Sequence, residues 1–214
     1  MRSHDRQVVH SSKFHDWGTP PEMYLALDRH FGFGLDAAAS SSNHLHDTWF
    51  GPDHPDPARR DGLITDWRQV CVDDGRPFVA FLNPPYSREG YAASVKAGQP
   101  NRALLIEAWV ERAALWGQQM TVVAVLPASV QTRWWQQFVR QADAIWFIPH
   151  RVTFVASRTM LRRLNREREA AGKSRIAGAW NASGNTAVVI WRPNPGFIGR
   201  AEPTIRYWSY RDAA

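Results

Sequence analysis

The chain has 214 residues, a net charge of +6 and a pI near 10, and 44% of its residues are hydrophobic. This length and composition fit one folded domain with a real apolar core, and they exclude a largely disordered chain. No long apolar run predicts a membrane span, and the polar N-terminus leads into no signal-peptide core. The single Cys71 excludes an internal disulfide and suits a reducing cytoplasm.

Hydrophobic periodicity and turn residues predict strands and helices in alternation. In chain order, the predicted elements are a flexible N-terminus over 1–16, a helix over 19–30, a strand over 33–37, a loop over 38–60 with at most a short strand near 48–50, a strand over 78–82, helices over 88–98 and 105–118, a strand over 121–126, a helix over 132–141, a strand over 144–148, a helix over 158–171 and a last strand over 185–191. Thr19 and Glu22 have the spacing of a capping box, so Thr19 is expected to cap the first helix.

This alternation predicts an α/β fold. The runs 78–82 and 121–126 are apolar almost throughout, which is typical of strands covered on both faces in an open, largely parallel sheet. Ligands of such sheets bind at the carboxyl ends of the strands. Asp36 and Asn83 each stand at a predicted strand end, so both side chains are expected to face one cleft.

The tetrapeptide Asn83-Pro84-Pro85-Tyr86 directly follows the most apolar predicted strand. It could be only a proline-stiffened turn, but its groups also suit methyl transfer to an amino nitrogen such as that of adenine. The lone pair of that nitrogen is spread into the ring, and a catalyst must localise it. The Asn83 side-chain carbonyl can accept one amino hydrogen and the Pro84 backbone carbonyl the other, both held by the fixed φ of proline. Tyr86 offers a flat face on which the base can stack.

Two other chemistries find less support in the sequence. Methylation at cytosine C5 would need a nucleophilic thiolate, whereas Cys71 lies in a polar stretch and is interpreted as structural. His44 and His46 lack further clustered ligands, so no metal site is predicted.

Basic residues are concentrated between Ser157 and Ile176, where seven of them oppose two acidic residues, a net +5 out of the chain's +6. A charged helix is often only a solvated face. This density instead favours a DNA-binding insertion over 157–176 that contacts phosphates of double-stranded DNA. The candidate contacts are Arg158, Arg162, Arg163, Arg166, Lys173 and Arg175.

An ordered set of motifs resembles the phage N-6-adenine DNA methyltransferases, a Dam-like group within the Rossmann-like class I methyltransferases. The set covers roughly residues 15–193 and consists of Asp16-Trp17-Gly18-Thr19-Pro20, the segment 31–40, Asp61-Gly62-Leu63 with Trp67, the segment 81–87, Leu126-Pro127-Ala128 with Thr132 and Trp134-Trp135, and Asn185-Thr186-Ala187-Val188-Val189. The resemblance implies a single methyltransferase domain that acts as a monomer or weak homodimer. It also implies transfer of a methyl group from S-adenosylmethionine to the exocyclic amino group of an adenine flipped out of the duplex.

The resemblance further implies which residues hold the cofactor, namely Trp17, Thr19, Pro20, Asp36, Ala37, Ala38 and Asp61. Residues 35–39 stand where related enzymes have a glycine-rich loop, but this chain has no Gly-x-Gly there. Three acidic residues are open candidates for the ribose hydroxyls: Asp47, Asp53 and Asp56.

Plainer interpretations remain open for these residues. Asp36 could cap a strand end, Thr19 a helix, and Asp61 could serve a turn. The Asn-Pro-Pro-Tyr motif also suits a protein glutamine amide or the N4 amino group of cytosine in DNA. A DNA-binding protein without catalysis is a third alternative.

Overall fold

A computed structural model describes residues 17–86, 95–96, 98, 101–102, 105–156, 158–175, 179–181, 185–194 and 202–212. The predicted flexible segment 1–16 and most of the predicted helix 88–98 lie outside the described residues. Within them, the fold is mixed α/β. The helices are α1 (Pro21–Phe31), α2 (Trp67–Asp73), α3 (Ile106–Trp116), α4 (Arg133–Phe138) and α5 (Arg158–Ala170). The strands are β1 (Trp17–Gly18), β2 (Leu35–Asp36), β3 (Val79–Leu82), β4 (Thr121–Pro127), β5 (Ala144–Phe147), β6 (Thr153–Ala156), β7 (Ala179–Asn181), β8 (Thr186–Trp191) and β9 (Thr204–Tyr207).

Six strands form the main sheet in the order β2-β3-β4-β8-β5-β9. Strand β8 is antiparallel to both of its neighbours, whereas the other neighbouring pairs are parallel. The sheet is therefore mixed, and the expectation of a largely parallel sheet is corrected at this strand. Strand β8 is also not the last, because the exposed strand β9 follows it and forms an edge of the sheet.

Both faces of this sheet are covered, as the apolar runs predict. Successive residues of β3 alternate between two cores: Ala80 and Leu82 pack in one cluster with Trp67 and Trp109, and Phe81 packs in the other with Tyr24. No described helix is long and apolar enough to cross a membrane.

The start of α1 differs from the capping-box prediction. The backbone amides of Met23 and Tyr24 both donate to the carbonyl oxygen of Pro20 at 3.0 Å, so Pro20 is the N-cap and no side chain caps the helix. Thr19 lies one residue too early to act as the cap. Its side chain is instead held in the protein interior, beside the cleft described below.

A small second sheet, in the order β1-β6-β7, joins the N-terminal segment to the basic region. Gly18 of β1 pairs with Val155 of β6, and the basic helix α5 follows β6 after a single residue. Strand β7 then returns antiparallel to β6. The helix α5, predicted over 158–171, is therefore an insertion between two paired strands.

The loop between β2 and α2 is held by one carboxylate at the end of α2. Asp74 accepts two hydrogen bonds from the Arg59 guanidinium, at 2.6 and 2.7 Å, and one from the Thr48 hydroxyl at 2.8 Å. These bonds, led by those from Arg59, lower the pKa of Asp74 to about 2. The carboxylate thus ties two points within the loop to the end of the helix.

Replacing Asp74 with alanine is expected to lower the free energy of unfolding by about 1.5–3 kcal/mol, because charge-assisted bonds at a partly buried site are lost. Since folding depresses this pKa, the stabilisation is complete above about pH 4 and is lost as the pH falls towards 2. Urea unfolding at pH 7 and at pH 3 measures both effects. Asp73→Ala is the matched control, because Asp73 is exposed and accepts a hydrogen bond from Gln69 on the same helix turn. Equal effects of the two variants would contradict the prediction.

Candidate active site

A cleft of about 280 Å³ opens at the carboxyl ends of β2 and β3. Its lining includes six of the residues singled out from the sequence, namely Thr19, Asp36, Ala38, Asp61, Asn83 and Pro85. The parallel pairing of β2 with β3 brings the strand ends together, with Asp36 beside Phe81 in the register. The prediction that Asp36 and Asn83 face one cleft is confirmed.

Other predicted site residues lie behind this lining. Ala37 is fully buried and its amide donates to the Phe81 carbonyl, so it holds β2 against β3. Pro20 and Pro84 are also buried. The side chain of Trp17 lies outside what the structure describes.

Two buried polar atoms in the cleft lack partners within the described residues. Thr19 and Asp36 are each 3% exposed, and neither Thr19 Oγ1 nor Asp36 Oδ1 has a hydrogen-bond partner there. The second oxygen of Asp36 accepts from the Leu45 amide at 3.0 Å. Burial raises the pKa of Asp36 to about 6. A buried acceptor without a donor is costly, and it indicates a site that a ligand with N–H or O–H groups completes.

The Asn-Pro-Pro-Tyr segment begins where β3 ends. Asn83 follows Leu82, the last residue of β3 that pairs with β4. The Tyr86 hydroxyl turns back towards this end of the sheet and contacts the Asn83 amide at 2.8 Å and the Val125 carbonyl at 2.7 Å. Burial of the hydroxyl raises the pKa of Tyr86 far above its ordinary value. The segment is therefore held to the sheet as well as stiffened by its prolines.

The Asp61-Gly62-Leu63 motif with Trp67 has a local structural explanation. The Asp61 carboxylate accepts from the Leu63 amide at 2.9 Å, and the Trp67 indole donates to the Gly62 carbonyl at 2.6 Å. A Cβ on Gly62 would lie 2.5 Å from the Ala37 carbonyl oxygen. Glycine is required here for close approach of two backbones, and this contact places Asp61 at the cleft wall.

Several lining residues were not predicted from the sequence. Phe50, Arg60 and Trp109 also line the cleft. Trp109 reaches it from α3 and Phe50 from the loop, and nothing in their local sequence distinguishes them from ordinary core aromatics. Their position beside the polar Asp36 follows only from the packing of α3 and the loop onto the sheet.

The three open ribose candidates are absent from the described cleft lining. Asp53 accepts hydrogen bonds from Ser41, Asp56 caps the turn that begins at Pro57, and Asp47 is an exposed partner of Arg76. Of the acidic residues that the sequence singled out, Asp36 and Asp61 line the described cleft.

Thiolate and metal chemistry do not fit the described residues. Cys71 is fully buried, and burial raises the pKa of its thiol to about 11, so it is a structural residue. His44 stacks on Trp49, and the His46 ring accepts from the Thr48 amide. In the part of the chain that the structure describes, no three metal-ligating side chains come together.

The basic helix α5 has an outer face and an inner face. Arg162 and Arg166, one turn apart, are exposed, whereas Asn165 is buried. At the end of the segment, Arg175 pairs with Glu169 at 3.3 Å. Lys173 is exposed, and the side chains of Arg158 and Arg163 lie outside what the structure describes.

An α/β sheet whose strand-end cleft holds Asn83, with Pro84, Pro85 and Tyr86 directly after it, suits methyl transfer to a planar amino nitrogen. The family model of DNA N-6-adenine-methyltransferase (Dam) matches residues 8–183. The chain therefore belongs to this family. No curated protein matches the chain significantly.

Family membership settles the activity that the motif leaves open. The chain is an enzyme that methylates the N6 amino group of adenine in DNA, with S-adenosylmethionine as methyl donor. The protein glutamine, cytosine-N4 and non-catalytic alternatives are set aside by this membership.

Proposed function

We propose that the cleft binds S-adenosylmethionine in a Rossmann-like class I methyltransferase fold, and that an adenine flipped out of double-stranded DNA is presented there to Asn83 and Pro84. The observation that supports this best is that Asp36 and Thr19 line the same cleft as Asn83, and that Asp36 Oδ1 and Thr19 Oγ1 are buried without a hydrogen-bond partner among the described residues. The chain acts as one methyltransferase domain, with residues 157–176 as its DNA-binding insertion.

The residues of the cleft fit the cofactor. The Asp36 carboxylate suits the α-ammonium group, and the Thr19 hydroxyl can donate to or accept from the same methionine end. The side chains of Phe50 and Trp109 give the cleft an apolar wall against which the adenine ring of the cofactor can pack. Asp61 lines the same cleft and can make a polar contact to the adenosine part. When bound, the cofactor supplies an electrophilic methyl group on a sulfonium.

Asn83 and Pro84 supply the acceptors that shape the amine. The amide oxygen of Asn83 accepts one amino hydrogen and the carbonyl oxygen of Pro84 accepts the other. Both oxygens lie on a segment whose φ angles are fixed by proline and whose end is tied to β4 through Tyr86. The Pro84 carbonyl is thus held on this segment before the reaction, which is the condition under which such groups contribute most.

Flipping is required because the adenine amino group is paired and shielded inside a duplex. The exposed ring of Tyr86 offers a surface for the unstacked base, since 36% of this residue is accessible. The basic insertion is connected to the cleft through β1 and β6. Gly18 of β1 lines the cleft and pairs with β6, and α5 follows β6 after a single residue. DNA bound to α5 is therefore expected to lie near the cleft.

The phosphate contacts of α5 are tested by the double variant Arg162→Ala/Arg166→Ala. Its DNA affinity is expected to fall for all sequences alike, and the slope of log K against log salt to decrease by about 2, because each lost phosphate contact contributes about 0.9. Fluorescence anisotropy over a salt titration measures this.

The control is Arg140→Ala/Arg211→Ala, which removes the same charge from exposed positions outside α5. It should leave the slope close to that of the parent. An unchanged slope in the α5 variant would remove this helix from the DNA interface, whereas the adenine chemistry at Asn83 would stand.

A further inference from the structure

We propose that Asn43 binds the α-carboxylate of S-adenosylmethionine, with its side-chain Nδ2 as the donor. This inference rests on the proposed binding of the cofactor in the cleft, with the α-ammonium group at Asp36. The ammonium and the carboxylate are bonded to the same carbon atom, so a cleft that binds one must also accommodate the other. A carboxylate accepts hydrogen bonds and does not donate them, and it therefore needs N–H or O–H groups beside Asp36.

Asn43 lies at the methionine end of the cleft. It lines the same cleft as Thr19 and Asp36. Its Cβ is 3.9 Å from the position that a Cβ on Gly18 would take, and Gly18 directly precedes Thr19. The amide of Leu45, two residues after Asn43, donates to the Asp36 carboxylate at 3.0 Å. These contacts place Asn43 beside the two residues that are proposed for the methionine part.

The turn that carries Asn43 fixes the orientation of its side-chain amide. The backbone nitrogen of Ser40 lies 2.7 Å from Asn43 Oδ1, and the Ser40 hydroxyl lies 3.0 Å from the same atom. A backbone amide can only donate, so the side-chain atom that faces it must be the oxygen. The Ser40 carbonyl also accepts from the amides of Asn43 and His44, at 3.2 and 3.0 Å. The side-chain oxygen of Asn43 is therefore used within the turn.

The nitrogen of the same side chain is left to bind a ligand. Nδ2 has two hydrogens, and it has no hydrogen-bond partner among the residues that the structure describes. An uncharged donor suits this position, because a cationic side chain would compete with the cofactor ammonium for Asp36. Asn43 can therefore bind the carboxylate without pairing with the acid that is proposed to bind the ammonium.

Arg60 is the alternative partner for the carboxylate, because it is cationic and lines the described cleft. Its Nε donates to the His54 carbonyl at 2.8 Å, and its Nη2 donates to the Pro55 carbonyl at 3.4 Å. Arg60 also directly precedes Asp61, which is proposed to contact the adenosine part. Two of its donors are thus used by the loop at the other end of the cofactor, and Asn43 is favoured.

Asn43→Asp tests this inference, because it keeps the oxygen that accepts from Ser40 and replaces the Nδ2 donor with a second, anionic oxygen. The Kd for S-adenosylmethionine at pH 8 is expected to rise about 10- to 100-fold, since a hydrogen bond to a charged group is lost. The Kd for decarboxylated S-adenosylmethionine, in which a hydrogen replaces the carboxylate, should not rise. Isothermal titration calorimetry without DNA measures both constants.

Three further variants serve as controls. Asn194→Asp introduces the same charge at an exposed position that is absent from the described cleft lining, and it should bind both ligands as the parent does. Asp36→Asn removes the proposed partner of the ammonium, which both ligands carry, so it should weaken both alike. Arg60→Gln should change the two affinities by the same factor.

The proposal is overturned if Asn43→Asp binds S-adenosylmethionine as tightly as the parent. It is also overturned if this variant weakens both ligands by the same factor, because Asn43 would then serve only the turn. A selective loss in Arg60→Gln without one in Asn43→Asp would assign the carboxylate to Arg60. Parental binding of both ligands by Asp36→Asn would instead refute the proposed position of the cofactor, which keeps the two failures distinguishable.

Discussion

Asn83→Ala is expected to slow methyl transfer by about two to three orders of magnitude, because it removes one of the two acceptors that we propose localise the amine lone pair. The loss should fall on the single-turnover rate, since Asn83 is proposed to contact the amine and not the cofactor. The Kd for S-adenosylmethionine should therefore stay within about threefold of the parental value. Single-turnover transfer of a labelled methyl group to DNA, with calorimetry of cofactor binding, measures both quantities.

Two further variants sharpen this test. Asn83→Asp keeps an acceptor oxygen at the same position and is expected to retain more activity than Asn83→Ala. Asn194→Ala removes an exposed asparagine side chain that is absent from the described cleft lining, and it should behave as the parent. Transfer by Asn83→Ala at the parental rate would eliminate the amide from the reaction.

Asp36→Asn is expected to weaken cofactor binding by about 10- to 100-fold, because a charged hydrogen bond to the cofactor ammonium becomes a neutral one. The same change should stabilise the protein in the absence of cofactor. Burial disfavours the ionised form of Asp36 and raises its pKa from 3.8 to about 6. The buried charge of Asp36 therefore destabilises the protein without cofactor, and we propose that the cofactor ammonium group offsets this cost.

The pH dependence follows from the sign of this shift. Below about pH 4 the carboxyl is protonated in both the folded and the unfolded chain, and the substitution should have little effect. Above about pH 6 the folded protein holds a buried charge at a cost of as much as about 3 kcal/mol, which asparagine removes. The asparagine introduced by this substitution can still accept from the Leu45 amide through its side-chain oxygen.

Thermal unfolding separates these effects. At pH 8 without cofactor, Asp36→Asn should melt several degrees above the parent, and saturating S-adenosylmethionine should narrow this difference because it stabilises the parent more, by about 1.4–2.7 kcal/mol for a 10- to 100-fold affinity ratio. Asp47→Asn is the control, since Asp47 is exposed and its contact with Arg76 is long, at 3.7 Å. Equal cofactor affinity in Asp36→Asn and the parent would refute the assignment of Asp36 to the cofactor.

The strand β3 and the Asn-Pro-Pro-Tyr motif after it can be predicted from the sequence, because both depend only on residues that are adjacent in the chain. Val79–Leu82 is an apolar run that ends at Asn-Pro-Pro, and no distant contact is needed to see that a buried strand stops there. The basic helix also depends on neighbouring residues alone. It is predicted over 158–171, and in the structure it spans Arg158–Ala170. The helix α2, by contrast, is absent from the predictions, since its seven residues are too few for a clear period.

The direction of β8 could not be deduced in this way. Thr186–Trp191 is buried along its whole length, and a strand covered on both faces has the same apolar pattern whether its neighbours are parallel or antiparallel. Only its pairing between β4 and β5 decides the direction.

Thr19 illustrates the same limit at the site. Its spacing to Glu22 fits a helix cap, yet the pairing of Gly18 with Val155 places the neighbouring Thr19 in the cleft, and Pro20 is the N-cap of the helix. The sequence by itself determined the α/β class, the Asn-Pro-Pro-Tyr segment at the end of a buried strand and the position of the charge, because each depends on residues close together in the chain. The tertiary structure alone decided the strand order and the cleft lining, because burial and unpartnered polar atoms arise only where distant segments pack together.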